Sequence, residues 1–222
     1  MSKYEIRSAT NGQLADTFRY FHVAKFDFNG QDVLVSRTGW TGEMGVEIYS
    51  EGGVTDHSAL WDHLHKHGEP FGMVFSGATS LNTRRIEAGI IDNGTDVDAT
   101  ITPYAARLGA FMDLDKAGFV GRAALQAADK DCRFYGVTCH SAVPLAGLEL
   151  MDGHARVGQM TIGTWSPHLE TGIGFARFSA PGTWPGRALK LHAPDNTQHD
   201  CEVVQLPFYD PDKLIPRGKV SG

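Results

Sequence analysis

The sequence predicts an α+β chain, an antiparallel sheet with two helices followed by a small C-terminal antiparallel β-barrel. Three observations predict it. Alternating apolar runs flank a glycine-rich loop between Tyr20 and Tyr49, and two capped segments of helical period follow between Thr55 and Ile90. From about Arg133, short alternating segments recur between clusters of Gly, Pro, Asp and Asn.

The first strands are Tyr20 to Phe28 and Val33 to Ser36, joined by Asn29-Gly30, a pair that tolerates positive φ. The loop Arg37-Thr38-Gly39-Trp40-Thr41-Gly42-Glu43-Met44-Gly45 then breaks the run, and Val46 to Tyr49 resumes as a strand. Side chains alternate across a strand, so Val46 and Ile48 share one face and Glu47 and Tyr49 the other. A carboxylate and an aromatic on one face, next to Trp40, suit a flat heteroaromatic ligand held by stacking and hydrogen bonding. A solvated hairpin with a structural Trp is the competing reading of the same residues.

Thr55 or Asp56 can cap a helix that runs through Leu60, Trp61 and Leu64 to Gly68. Ser76 can cap a second from Gly77 to about Ile90, with Ala78, Leu81, Arg85 and Ala88 near one face and Arg84 and Glu87 at pairing distance. The barrel strands are expected around Phe134 to Thr138, Leu148 to Met151, Gly158 to Ile162, Ile173 to Phe178, Ala188 to His192 and Glu202 to Gln205. Asp129-Lys130-Asp131 marks the boundary, giving domains 1–130 and 131–222. The tail from Asp210 onward is expected to be loose.

At 222 residues and 41% hydrophobic composition the chain can bury a sizeable core. A net charge of −6, with 20 basic residues scattered singly, argues against a nucleic-acid surface. No apolar run reaches bilayer length and Met1-Ser2-Lys3-Tyr4-Glu5 leads into no signal-peptide core, so neither a membrane nor export is expected, and the location is cytoplasmic. Cys132, Cys139 and Cys201 fit neither a disulfide framework nor a zinc ribbon and read as reduced, structural thiols. His57, His63, His65 and His67 crowd one helix; without an acidic partner in a metalloprotease pattern, a solvated face is the reading rather than a metal site. There is no nucleophile elbow and no phosphate-binding loop.

Several motifs, in order, resemble the glycine-cleavage T-protein family of tetrahydrofolate-dependent aminomethyl- and methyltransferases. Arg37 to Glu43 is similar to that family's RTGYTGE loop, Gly45-Val46-Glu47-Ile48 to its GFEI strand and Arg85-Ile86-Glu87-Ala88-Gly89 to its RLEAG helix. Thr102-Pro103, Phe119 to Leu125, Ser166-Pro167 and Leu206-Pro207-Phe208-Tyr209 follow. Trp40 in place of Tyr, Tyr49 two residues after Glu47, the Tyr20-Phe21 to Phe28 hairpin and Ser166-Pro167-His168 resemble the dimethylsulfoniopropionate demethylase branch.

The resemblance implies a one-carbon transfer to N5 of tetrahydrofolate from a methyl or aminomethyl donor, with Glu47 hydrogen-bonding the pterin and Trp40 and Tyr49 lining the pocket. No catalytic residue and no metal is implied. Leu81 stands where the family carries a folate-contacting Arg, and the likeness starts in the middle of the family, at Tyr20. It therefore implies the C-terminal part of such an enzyme, completed by an N-terminal half that is on another chain or lost from this sequence, or else a non-catalytic folate- or protein-binding module. Arg85, Glu87, Asp96 and His168 are expected to be structural.

Overall fold

Asn29 and Gly30 both adopt positive φ, at 57° and 85°, and turn the chain between β1 (Val23–Asp27) and β2 (Asp32–Ser36). The computed structural model describes residues 3–14 and 18–219. β1 pairs antiparallel with β2, and β2 with β3 (Glu47–Tyr49), in the order β1-β2-β3. The first strand starts at Val23 rather than Tyr20, because Phe21 turns the backbone with a φ of 67°.

The chain divides into two compact units, Met1–Arg85 with Asp212–Gly222, and Ile86–Pro211. In the first, alternation decides the faces: Val33 and Val35 are buried while Leu34 is exposed. The buried side packs with Phe28, Ile6, Ala9, Leu14 and Leu60, and Val46 and Ile48 lie against the same cluster. Each fully buried Val, Leu, Ile or Phe side chain of this cluster contributes about 1.5–3 kcal/mol.

Two helices cover this face. The helix α1 (Lys3–Ala9) was not expected from the sequence; Ile6 and Ala9 are buried in it and its support comes from α2 (His57–Gly68). Asp56 caps α2 as expected, accepting a hydrogen bond from the Ala59 amide at 3.0 Å. Of the three apolar residues along α2, Leu60 and Leu64 join the core, whereas Trp61 is exposed and meets Phe75 edge-on at 5.8 Å.

The solvated histidine face is also corrected. His63 and His67 turn toward α1, with His63 Nε2 2.7 Å from the Ala9 carbonyl and His67 Nδ1 2.9 Å from Ser8 Oγ. The tail is not loose through residue 219 either: Pro216 is buried and its carbonyl accepts from Arg37 Nη2 at 2.7 Å.

The helix α3 (Ala78–Glu87) stops before Gly89, whose φ of 67° ends the helical path. After a long connection and the short α4 (Arg122–Ala127), six strands close a barrel: β4 (Phe134–Cys139), β5 (Glu149–Asp152), β6 (Ala155–Ser166), β7 (Thr171–Phe178), β8 (Ala188–His192) and β9 (Gln198–Val204). The order is β4-β7-β6-β5-β8-β9, with β9 returning to β4.

Val137, Leu150, Met160, Leu191 and Val203 fill the interior. Phe134, Ile173 and Phe175 point the other way and pack with Ile86 and Leu206, which is why β7 is buried on both faces. Gly163 cannot carry a side chain, because a Cβ there would stand 2.0 Å from the Pro144 carbonyl oxygen. Cys132, Cys139 and Cys201 are free, and burial pushes the Cys201 thiol up to about 12. Among the described residues no helix is long and apolar enough to cross a membrane.

Candidate functional site

The register Ser36↔Glu47 brings the two ends of the glycine loop side by side. Glu47 and Tyr49 share the side of β3 opposite the Val46 and Ile48 core contacts, as alternation requires. Tyr49 OH donates to Glu47 Oε2 at 3.2 Å, and the Thr38 hydroxyl donates to the same oxygen. Thr38 Oγ1 also lies 2.9 Å from Ser36 Oγ. One proton on each hydroxyl satisfies the chain if Ser36 donates to Thr38 and Thr38 to Glu47.

The carboxylate is thereby oriented from one side. Oε2 carries two donors, while Oε1 accepts no hydrogen bond among the described residues. The neighbouring Glu47 charge, together with their hydrogen bond, raises the Tyr49 pKa, so the phenol stays a donor at neutral pH.

Trp40 is 39% exposed, and the Arg85 guanidinium stands 5.5 Å from its ring centroid. Arg85 is buried and its Nε donates to Asn82 Oδ1 at 2.8 Å, so the charge beneath the ring is fixed by α3. Glu43, three residues on, pairs with Arg84. The loop is therefore held to α3 at Trp40 and Glu43, while the Glu47 carboxylate and the Tyr49 phenol are brought together on β3. Leu81, where the resembled family carries an arginine, is exposed and brings no charge.

The other residues singled out in the sequence lie in the second unit. Ser166 Oγ donates to the fully buried Glu87 Oε1 at 2.5 Å and accepts from the Leu169 amide at 3.0 Å, a structural contact. Asp96 is buried in its turn; Oδ2 accepts from the Asp92 amide at 2.8 Å and Oδ1 from Thr161 Oγ1 at 3.1 Å. A bulge in β6 between Met160 and Ile162 frees Thr161 to make that contact. His168 is exposed, with its ring 5.2 Å from that of Tyr209. Among the described residues no group of three or more His, Cys, Asp or Glu could hold a metal ion.

Sequence reasoning missed Thr38 and Ser36 as orienting groups. Their signal was present: Thr38 lies next to the strand end that register brings opposite Glu47.

Residues 5–116 match the family model described as GCVT N-terminal domain, and residues 133–210 match the one described as glycine cleavage T-protein C-terminal barrel domain. The first match reaches back to residue 5, ahead of Tyr20. The chain is 35% identical over 199 residues to an aminomethyltransferase of Saccharopolyspora erythraea, covering 87% of this chain and 53% of that protein. It is 30% identical over 198 residues to an aminomethyltransferase of Halothermothrix orenii, covering 87% and 54%. The chain thus spans about half the length of the curated relatives it matches. The fold is similar to that in a crystal structure of glycine cleavage system aminomethyltransferase T from Bartonella henselae, with a TM-score of 0.77, 24% identity and coverage of 92% and 56%.

Proposed function

Because the chain belongs to the glycine-cleavage T-protein family, we propose that it is a component of a tetrahydrofolate-dependent one-carbon transferase, with Trp40, Glu47 and Tyr49 forming one wall of the pterin site. The observation that carries this reading is the half-used Glu47 carboxylate: Oε2 is held by Thr38 and Tyr49, and Oε1 accepts no hydrogen bond among the described residues. That donor-hungry oxygen suits the N–H groups of a reduced pterin, and Trp40 offers a flat apolar surface for its ring.

Tetrahydrofolate, when bound, supplies N5 as the acceptor of the carbon unit. The protein's own part is to orient. Glu47 fixes the ring through its outward oxygen, Thr38 and Tyr49 keep that oxygen's partner from swinging, and Trp40 limits water on its side. An activated donor, a sulfonium methyl or an aminomethyl group, is already electrophilic and needs alignment more than a nucleophile. The pattern at Trp40 and Tyr49 favours a demethylase-like member that takes a small methyl donor.

The chain spans about half the length of its curated relatives, and the remaining walls belong to the rest of such an enzyme. The folate-facing part is residues 1–130 and the barrel residues 131–222, a division supported by the extents of the two family matches.

The test is titration calorimetry of tetrahydrofolate into this chain and its Glu47→Ala variant. Loss of a hydrogen bond to a charged acceptor is expected to weaken binding by about 1.5–3 kcal/mol. Equal heats from both proteins would remove Glu47 as a ligand, and binding with no transfer by a full-length protein containing this chain would support a binding module instead.

A further inference from the structure

Among the described residues no carboxylate lies within ion-pair distance of Arg37. It is only 7% exposed, and its Nη1 and Nη2 donate to the carbonyls of Gly45 and Pro216, each at 2.7 Å. The Tyr20 ring lies 6.0 Å away. Carbonyls and a ring face are dipoles and a quadrupole, whereas a buried guanidinium is normally paired with an anion.

Arg37 lines a cleft of about 730 Å³ in the first unit, together with Arg7, Arg19, Arg217 and Lys219 and with no Asp or Glu among the described residues. Among the described residues, Arg19, Arg217 and Lys219 have no carboxylate within ion-pair distance. This concentration of positive charge runs against a chain whose net charge is −6. A concave, partly apolar surface focuses such a field.

We propose that this cleft is a binding site for a multivalent oxyanion, a polyphosphate or an oligocarboxylate, with Arg37 at its floor and Arg19, Arg217 and Lys219 around its rim. Guanidinium groups match oxyanions in a forked geometry, and several cations at once favour a ligand with several charged oxygens over a single ion. The cleft includes Val46 and Gly45, on the side of the loop opposite Glu47, so the site is separate from the pterin wall and does not depend on that reading. Arg37 also ties the tail at Pro216 to the loop at Gly45, and an anion bound against it would hold both.

The experiment is titration calorimetry at low ionic strength with two probes in separate arms, tripolyphosphate and a tri-glutamate peptide. It uses the chain, an Arg19→Ala/Lys219→Ala double variant at exposed positions, and a Lys25→Ala/Lys116→Ala control whose lysines lie outside the cleft. One arm is expected to bind the parent and the control alike, and the double variant about tenfold more weakly or worse. The tighter arm identifies whether phosphate or carboxylate oxygens are the ligand. Silence in both arms, undiminished binding by the double variant, or an equal loss in the control would overturn the proposal.

Discussion

At Glu47 the two carboxylate oxygens have different neighbours, and the consequences can be separated by substitution. Tyr49→Phe keeps the ring and removes one donor to Oε2, so tetrahydrofolate affinity should fall by about 0.5–1.5 kcal/mol in calorimetry, less than for Glu47→Ala. Ser166→Ala tests the opposite kind of residue. It leaves the buried Glu87 carboxylate short of a donor and should lower the stability of the second unit by about 1.5–3 kcal/mol in denaturant unfolding, with tetrahydrofolate affinity unchanged. The face shared by Glu47 and Tyr49 was legible in the sequence because alternation is a local rule. The charge held by Arg37 was not, because its partners are Gly45 and Pro216, the latter far away along the chain.

At the scale of elements, caps, turns and strand alternation were readable wherever a few adjacent residues decide the backbone. Asp56 and the Asn29-Gly30 turn are such cases, and all six barrel strands were anticipated because each alternating segment is bounded by turn residues. The helix α1 was invisible because a segment of seven residues does not form a helix without α2 beside it. With α1 unseen, the packing of His63 and His67 was unseen too.

That packing predicts a pH effect. Burial, then the nearby His63 and Lys66, lower the His67 pKa below its usual value of 6.5. The unfolded chain then binds more protons than the folded one below that value, so the contribution of His67 is fully present above pH 6.5 and is lost as pH falls from there through the folded pKa. Thermal unfolding followed between pH 7 and 5 should therefore decline less steeply for His67→Gln than for the parent. The cap offers a control: Asp56→Ala should cost about 0.5–2 kcal/mol at all pH values above the carboxylate range.

For the whole molecule, membership of a family and an α+β chain ending in a closed barrel are secure, while the activity is that of a protein about twice as long as this chain. The ordered motifs made the family legible, since each sits where the backbone needs it: the glycine loop between paired strands, Gly89 at the end of α3. What the motifs could not convey is which surfaces carry free chemistry, because that depends on contacts between residues far apart in sequence. The central claim is that the Trp40 side of β3 receives tetrahydrofolate. It is tested most directly by fluorine NMR of the chain labelled with 5-fluorotryptophan, whose four tryptophans give four resonances. Assigned by a Trp40→Phe variant, the Trp40 resonance should shift on addition of tetrahydrofolate while those of Trp61, Trp165 and Trp184 stay in place; a stationary Trp40 resonance would contradict the account.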